Sequence, residues 1–398
     1  MSAATGSGCW QGRAANGQAV EVRIEAGVIL SVACTEEKED LPWISAGWID
    51  LQVNGANGGD FNGHQTTLED VDRTTRYLWT KGVTRYLPTV ITGSFERMNR
   101  AMAAIAEAAA EPTPLGRTIG GIHMEGPYLS GERGPRGAHD ARQVRDPDAE
   151  EFERLQRSAG GRIVLVTLAP EREGAIPFVR ELAGRGIVAS IGHSAASGEQ
   201  IASAAEAGAS MSTHLGNGSH LMLPRHPNYL WEQLADERLI AGFIADGHHL
   251  PLSTLKAMLR AKGEQAFVVS DCVSLAGMPP GEYEGEIGER VVLREDGRLY
   301  LADDPGILAG SASTLEKGIE TLVGPLRYSL ADAIALVTER PAKAMGWQNF
   351  GRLEPGLQGN LTLFECERSG ERASVRIVET VVAGESVYRQ AEGGPGGS

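Results

Sequence analysis

Long apolar runs, closely spaced cysteines and basic clusters are all missing from this sequence of 398 residues. No apolar run approaches the roughly 18 residues that a membrane-spanning helix needs, and residues 1–8 lack the charged segment and apolar run of a secretory signal. The four cysteines, Cys9, Cys34, Cys272 and Cys366, form no CxxC pair, so neither a zinc knuckle nor a disulfide framework is indicated. We therefore expect a cytoplasmic protein whose thiols are reduced and mostly packed.

Positive charge is also scarce. Lysine and arginine number 37 against 52 aspartate and glutamate residues, which gives a formal net charge of −15 at pH 7. Nucleic acids and anionic membranes require a positive protein face, so we expect neither as a partner. The chain is nevertheless 41% hydrophobic and 22% charged, which is typical of a globular enzyme, and its length favours two domains.

The two ends of the chain have the sequence pattern of β-strands. Alternating apolar and polar residues occupy short runs at 19–24, 27–32, 360–364 and 375–382. Neither end has enough residues to bury a core alone. We therefore predict one small β-sandwich that combines residues 1–46 with residues 346–398.

The middle of the chain, residues 47–345, alternates apolar runs with amphipathic stretches. The apolar runs are 48–53, 84–90, 119–124, 163–168, 187–191, 209–213, 239–245 and 266–270. Helical periodicity follows most of them, for example at 95–110, 171–184, 197–207 and 253–262. Eight such units predict an α/β fold, a (β/α)8 barrel of the TIM type, and a doubly wound open sheet is the alternative.

Polar side chains follow most of the predicted strands. They are Gln52 and Asn54, His123 and Glu125, His193, His214, Asp246 with His249, and Asp271. A single buried histidine or aspartate is more often a satisfied structural group than a ligand. Their recurrence at strand ends favours an active site, because a barrel carries its chemistry at the carboxyl ends of its strands.

Glu125, His193 and His214 combine two imidazoles with one carboxylate. This set suits zinc or iron and leaves a position open for water. Such a metal lowers the pKa of water towards about 7 and polarises a carbonyl group. Asp271 would then be the general base, and metal-assisted hydrolysis of an amide or ester follows. The alternative is a barrel without catalysis in which these residues are capping and core polar groups.

Several motifs resemble those of the N-acetylglucosamine-6-phosphate deacetylase family, within the amidohydrolase superfamily. They are Gly47-Trp48-Ile49-Asp50-Leu51-Gln52-Val53-Asn54-Gly55, His123-Met124-Glu125-Gly126-Pro127, Gly192-His193-Ser194, Thr213-His214-Leu215, Ile244-Ala245-Asp246-Gly247-His248-His249, Ser270-Asp271 and Leu308-Ala309-Gly310-Ser311. The similarity runs from about residue 45 to about residue 365. It implies removal of the acetyl group from N-acetylglucosamine 6-phosphate, which yields glucosamine 6-phosphate and acetate.

The resemblance also implies roles for individual residues. Metal binding falls to Glu125, His193 and His214, acid/base catalysis to Asp271, polarisation of the substrate carbonyl to His139, and substrate contacts to Asn217, Gly218, His249 and Leu308. Arg225 corresponds to an arginine that reaches the phosphate in the neighbouring subunit of a homodimer. Many relatives hold a second metal with a His-x-His motif, but Gln52 and Asn54 stand at those positions here. Amides bind cations poorly, so we expect one divalent ion per subunit, Zn²⁺ with Fe²⁺, Co²⁺ or Mn²⁺ as alternatives.

The loop after His214 departs from the family pattern. It carries Gly216 and Gly218, which leave less surface on which a sugar could pack. Two alternatives therefore stay open beside the phosphorylated substrate: a related N-acyl amino sugar, either without the phosphate or of another epimer, and a scaffold without catalytic activity.

Overall fold

The computed structural model describes residues 6–284 and 290–391. Its strands, in chain order, are β1 (Gly8–Ala14), β2 (Ala19–Glu25), β3 (Val28–Cys34), β4 (Trp43–Ala46), β5 (Trp48–Val53), β6 (Gly55–Ala56), β7 (Gly59–Asp60), β8 (Val83–Ile91), β9 (Ile122–Glu125), β10 (Ile163–Leu168), β11 (Val188–Ile191), β12 (Met211–Ser212), β13 (Ile240–Ile244), β14 (Ala266–Val269), β15 (Gly281–Glu284), β16 (Arg290–Leu293), β17 (Leu299–Leu301), β18 (Asp304–Leu308), β19 (Leu361–Ser369), β20 (Arg372–Val382) and β21 (Glu385–Arg389). Its α-helices are α1 (Leu68–Trp79), α2 (Phe95–Ala110), α3 (Pro114–Thr118), α4 (Ala149–Ser158), α5 (Ala175–Gly184), α6 (Gly198–Ala207), α7 (Tyr229–Ala235), α8 (Leu252–Lys262), α9 (Leu315–Val323), α10 (Leu330–Ala335) and α11 (Glu339–Ala344).

Eight parallel strands form the barrel in the order β5-β8-β9-β10-β11-β12-β13-β14. The last strand returns to the first through a parallel bridge between Val53 and Cys272. Two backbone hydrogen bonds flank this bridge: Asp271 N donates to Gln52 O at 3.0 Å, and Asn54 N donates to Cys272 O at 2.7 Å. This junction closes the sheet on itself, so the predicted barrel is confirmed and the open doubly wound sheet is wrong.

Several helices around the barrel begin at side-chain caps that the sequence supplies. Ser94 and Ser197 accept hydrogen bonds from the first turns of α2 and α6, whose predicted positions are confirmed. Helix α5 begins later than the predicted residue 171, because Gly174 at its N-cap adopts a left-handed conformation with φ of 75°. None of the helices in the described part of the chain is long and apolar enough to cross a membrane.

The two ends of the chain combine, as predicted, in one seven-stranded arrangement with the order β21-β20-β19-β4-β1-β2-β3. This small sandwich has its own apolar core, to which Val22, Ile29, Ile44, Leu361 and Val381 contribute from both ends of the chain. Its proposed division from the barrel, at residues 46 and 346, stays a prediction. The outermost residues of that predicted domain, 1–5 and 392–398, lie outside the described residues.

A small antiparallel sheet of β15, β16, β17 and β18, which the sequence patterns did not predict, follows the last strand of the barrel. Val291, Leu293 and Leu299 of this sheet pack on Val273 and Leu275, which follow the barrel strand. The sequence does contain a hairpin signal: Asp296-Gly297 separates two runs of apolar and polar residues. We refer to these four strands as the cap sheet.

The thiols are only partly packed. All four cysteines are free, as expected, but Cys9 and Cys34 are exposed, whereas Cys272 is buried and Cys366 is half-buried. The expectation that most thiols are packed is therefore wrong for Cys9 and Cys34. Both lie near ends of β1 and β3, where the outer face of the sandwich meets solvent.

Trp48 and Phe364 join the barrel to the sandwich. Their rings meet edge to face with centroids 5.4 Å apart, and both side chains are fully buried. We expect Phe364→Ala to lower the free energy of unfolding by about 3–5 kcal/mol, measured by urea denaturation, because the change leaves a cavity at this junction. Phe364→Leu keeps much of the apolar volume and should cost clearly less. A loss below about 1 kcal/mol for the alanine variant would contradict this role for the contact.

Candidate active site

Four ionisable side chains meet at the carboxyl edge of the barrel. Glu125 is the last residue of β9, while His193, His214 and Asp271 each stand two residues beyond β11, β12 and β14. The latter three adopt positive φ angles of 49°, 29° and 52°. Such angles are unfavourable for residues with a Cβ and cost on the order of 1–3 kcal/mol each. Backbone hydrogen bonds hold them, since Ser130 N donates to His193 O at 2.9 Å and Asp271 N donates into β5.

Glu125, His193 and His214 present their ligand atoms to one point. His214 Nε2 lies 3.0 Å from Glu125 Oε1, His193 Nε2 lies 3.4 Å from the same oxygen, and the two Nε2 atoms are 3.1 Å apart. Burial alone would raise the pKa of Glu125, but hydrogen bonds with the two imidazoles outweigh it and hold the pKa well below its ordinary value. Three buried atoms of this kind fit a divalent metal ion.

Neighbouring groups orient two of these three ligands. His193 Nδ1 donates to Pro135 O at 2.9 Å, which leaves its Nε2 lone pair directed at Glu125 and His214. Gln52 Nε2 donates to Glu125 Oε1 at 2.9 Å and so acts as a support for the carboxylate. For His214, the buried Nδ1 atom has no hydrogen-bond partner among the residues that the structure describes.

Asp271 lies beside this ligand set and is half-buried. Its Oδ1 accepts a hydrogen bond of 2.8 Å from Asn54 Nδ2. Burial and the negative charge of Glu125 raise the pKa of Asp271 to about 6, and the bond from Asn54 opposes part of that increase. A carboxylate in this position can take up and release a proton near neutral pH.

A cavity of about 790 Å³ opens above these residues. His139 lies in its wall, with its ring centroid 4.3 Å from that of His193. Burial lowers the pKa of His139 well below its usual range, so its ring is neutral. Its buried Nδ1 has no hydrogen-bond partner among the described residues, which leaves the ring available to a substrate.

The other predicted substrate contacts that line this cavity are Asn217, Gly218, His249 and Leu308. Asp246 fixes one of them: its Oδ2 accepts a hydrogen bond of 2.8 Å from His249 Nδ1, so His249 Nε2 is left for the cavity. Gly218 has a positive φ of 57°, and a Cβ there would come within 2.7 Å of His193 Nδ1. The glycine allows the loop to approach the metal ligand closely.

Arg225 is the predicted residue that lies apart from the others. It is exposed, and the described residues that line the cavity do not include it. Gln52 is also absent from that lining, because it contacts Glu125 from within the barrel. Two cavity residues that sequence reasoning missed are Arg133 and Arg136. The signal was available, since both stand a few residues before His139 in an arginine- and glycine-rich loop.

The sequence pattern of the Amidohydrolase family matches residues 43–387. The chain belongs to the amidohydrolase family. This agrees with the superfamily resemblance drawn from the motifs, and the family accounts for a metal-ligand set at the carboxyl ends of barrel strands.

Individual relatives of this amidohydrolase are amino-sugar phosphate deacetylases. The chain is 36% identical to the N-acetylgalactosamine-6-phosphate deacetylase of Shewanella sp. (strain ANA-3), over 87% of this chain and 83% of that protein. It is 32% identical to the N-acetylglucosamine-6-phosphate deacetylase of Bacillus subtilis (strain 168), over 81% of each. The crystal structure of N-acetylglucosamine-6-phosphate deacetylase from Pasteurella multocida superposes with a TM-score of 0.83 at 25% identity and covers 95% of this chain and 99% of that one.

The ligand set of this amidohydrolase generates a prediction about metal content. We expect the purified protein to carry about one divalent ion per chain, because Gln52 and Asn54 supply amides where a second ion would need stronger ligands. His214→Ala should retain less than about a tenth of that metal, since it removes one of three ligands. The exposed His64 provides a matched control, and His64→Ala should keep its metal.

Elemental analysis of the three proteins at saturating metal provides the measurement. Two tightly held ions per wild-type chain would contradict the single site. Unchanged metal in His214→Ala would show that the ion binds elsewhere.

Proposed function

We propose that this amidohydrolase removes the acetyl group from N-acetylglucosamine 6-phosphate and releases glucosamine 6-phosphate and acetate. The observation that carries the proposal is the convergence of Glu125, His193 and His214 with Asp271 in one cavity. The names of the relatives support the substrate class, since each of those described above acts on a 6-phosphorylated N-acetylhexosamine. They do not favour the alternative of a sugar without phosphate.

A metal ion completes the proposed site. We propose one divalent ion per chain, Zn²⁺ before Fe²⁺, Co²⁺ or Mn²⁺, held by Glu125, His193 and His214. When bound, such an ion polarises the amide carbonyl and lowers the pKa of water. Gln52 supports this role from behind, because its hydrogen bond fixes the carboxylate of Glu125.

Asp271 moves the proton in this proposal. Its carboxylate first accepts the proton of the attacking water and then delivers it to the nitrogen of the leaving amine. The pKa of about 6 suits both steps, because the group can be deprotonated at neutral pH and still act as an acid. Asn54 holds the carboxylate in place through Oδ1 and leaves Oδ2 for the proton.

The remaining cavity residues bind the substrate. His139 donates a hydrogen bond to the acyl oxygen, which its neutral ring permits. His249, fixed by Asp246, contacts the sugar, and Leu308 covers it from the cap sheet. The backbone at Asn217 and Gly218 contacts the phosphate.

We also propose a homodimer in the cytoplasm, in which Arg225 reaches the phosphate in the neighbouring chain. Its exposed position supports this role, since a residue that serves another chain must project outward. The same segment exposes Leu221 and Met222, at 97% and 88% of their surfaces, which a partner chain would cover.

N-acetylgalactosamine 6-phosphate is a second candidate substrate. It is favoured by the 36% identity with the Shewanella deacetylase, against 32% for the Bacillus subtilis relative. The two sugars differ only in the configuration of one hydroxyl group, and the metal chemistry is the same for both.

Acetate release from a panel of substrates tests the function. We expect the metal-loaded protein to hydrolyse N-acetylglucosamine 6-phosphate with a kcat/KM at least about tenfold above that for N-acetylglucosamine, because phosphate offers charged hydrogen bonds. The panel also includes N-acetylgalactosamine with and without the 6-phosphate. Higher kcat/KM on the galactosamine ester would select the second candidate, and no acetate from any sugar would refute the proposal.

Asp271→Asn tests the proton transfer. The amide keeps the shape of the carboxylate but cannot accept a proton from water, so kcat should fall by about 10²–10⁴-fold. Metal content and substrate binding should be preserved, which elemental analysis and equilibrium binding would measure. If the variant kept more than about a tenth of the wild-type kcat, another residue would be the base.

A further inference from the structure

A loop after β9, residues 131–137, forms one wall of the cavity and is anchored on both sides. Pro135 O accepts the hydrogen bond from His193 Nδ1 at 2.9 Å, which ties the loop to a metal ligand. Glu132 Oε2 lies 3.0 Å from His220 Nε2, which ties it to the loop after His214. Two residues of this wall are therefore tied to the site, and Arg133 and Arg136 line the cavity beside them.

This wall touches the turn at Asn217 and Gly218. A Cβ added to Gly218 would lie 3.1 Å from Pro135 O, and one added to Gly137 would lie 3.0 Å from His193 Cε1. Arg136 stands between Pro135 and Gly137, so it borders the turn that the proposed function assigns to the phosphate.

Three acidic residues near this wall have a cationic or imidazole partner within 4.0 Å, and in each case that partner is not Arg136. The pairs are Glu132 with His220 at 3.0 Å, Asp140 with Arg142 at 2.9 Å, and Asp304 with Arg133 at 3.7 Å. Arg133 lines the cavity, but its charge is opposed by Asp304 across the opening. Among the described residues, Arg136 forms no such ion pair.

The guanidinium group of Arg136 is only partly satisfied. Nη1 donates to Gly131 O at 3.0 Å, while Nε is buried and has no hydrogen-bond partner among the described residues. A buried donor without a partner is costly, and the cost is relieved when an acceptor binds. A phosphate oxygen matches a guanidinium group through paired donors.

We infer that Arg136 is the cationic residue through which each chain binds the 6-phosphate of its own substrate. This role differs from that of Arg225, which serves a neighbouring chain. The inference rests on the proposed function, since it assumes a phosphorylated amino sugar in the cavity. Arg136 here determines specificity and does not take part in the chemical step.

Three variants test this role. Arg136→Gln removes the charge but keeps an N–H donor that can hold the loop through Gly131, whereas Arg136→Lys keeps the charge. Arg142→Gln is the matched control, because Arg142 is an exposed arginine nearby that pairs with Asp140. For each protein, kcat/KM is measured on N-acetylglucosamine 6-phosphate and on N-acetylglucosamine, together with metal content and Tm.

We expect Arg136→Gln to lower kcat/KM on the phosphorylated sugar by about 10- to 100-fold, mainly through KM, with little change on the other sugar. Arg136→Lys should recover at least about a third of the lost selectivity on a logarithmic scale, and Arg142→Gln should match the wild type. Equal losses on both sugars, or no loss on either, would overturn the inference.

An Arg225→Gln variant separates the two arginines. Arg225→Gln could remove the preference for the phosphorylated sugar while Arg136→Gln keeps that preference. In that case only the neighbouring chain would bind the phosphate, and the inference would be wrong. If the wild type released acetate from neither sugar, the proposed function itself would fail. These two failures are distinguished by the wild-type measurement.

Discussion

The junction between the first and last barrel strands controls the geometry of the whole site. Asp271 N bonds to Gln52 O and Asn54 N bonds to Cys272 O, so the two chain segments are locked in one register. That register places Gln52 against Glu125 and Asn54 against Asp271. The strand that closes the barrel therefore also carries the two amides that orient the carboxylates, and a one-residue slip would turn both away.

Three non-glycine residues at the same edge of the barrel have a strained backbone. His193, His214 and Asp271 have positive φ angles although none is a glycine. Each follows a short parallel strand by two residues, and the turn brings its side chain over the barrel opening. The buried apolar strands beneath offset the cost of these conformations, and the polar side chains are therefore held in a fixed arrangement. Gly218 belongs to the same scheme, because only a residue without a Cβ can lie so close to His193.

Much of this arrangement was predictable. The bounds of β5, β10 and α2 coincide with the apolar runs and helical period in the sequence, because parallel strands buried on both faces contain few polar residues. Glu125, His193, His214 and Asp271 could be identified because polar residues directly after such strands are unusual. The cap sheet was missed since its strands are short and partly exposed, so their pattern is weak. Arg136 was missed because its significance lies in which neighbouring acids already have partners, and pairing between distant residues is not visible in a sequence.

The way the cap sheet is attached affects how the protein can change. The chain leaves the barrel after Cys272 and returns at Ser311, where Ser311 N donates to Asp271 O at 3.1 Å and Val273 N donates to Ser311 O at 3.0 Å. Departure and return thus occur at adjacent points, and the described residues between them include a small apolar core of their own. We therefore expect insertions or deletions within the cap sheet to leave the register of the barrel unaltered. The cap sheet, which lines the cavity through Leu308, can therefore diverge in evolution, or be exchanged by design, independently of Glu125, His193, His214 and Asp271.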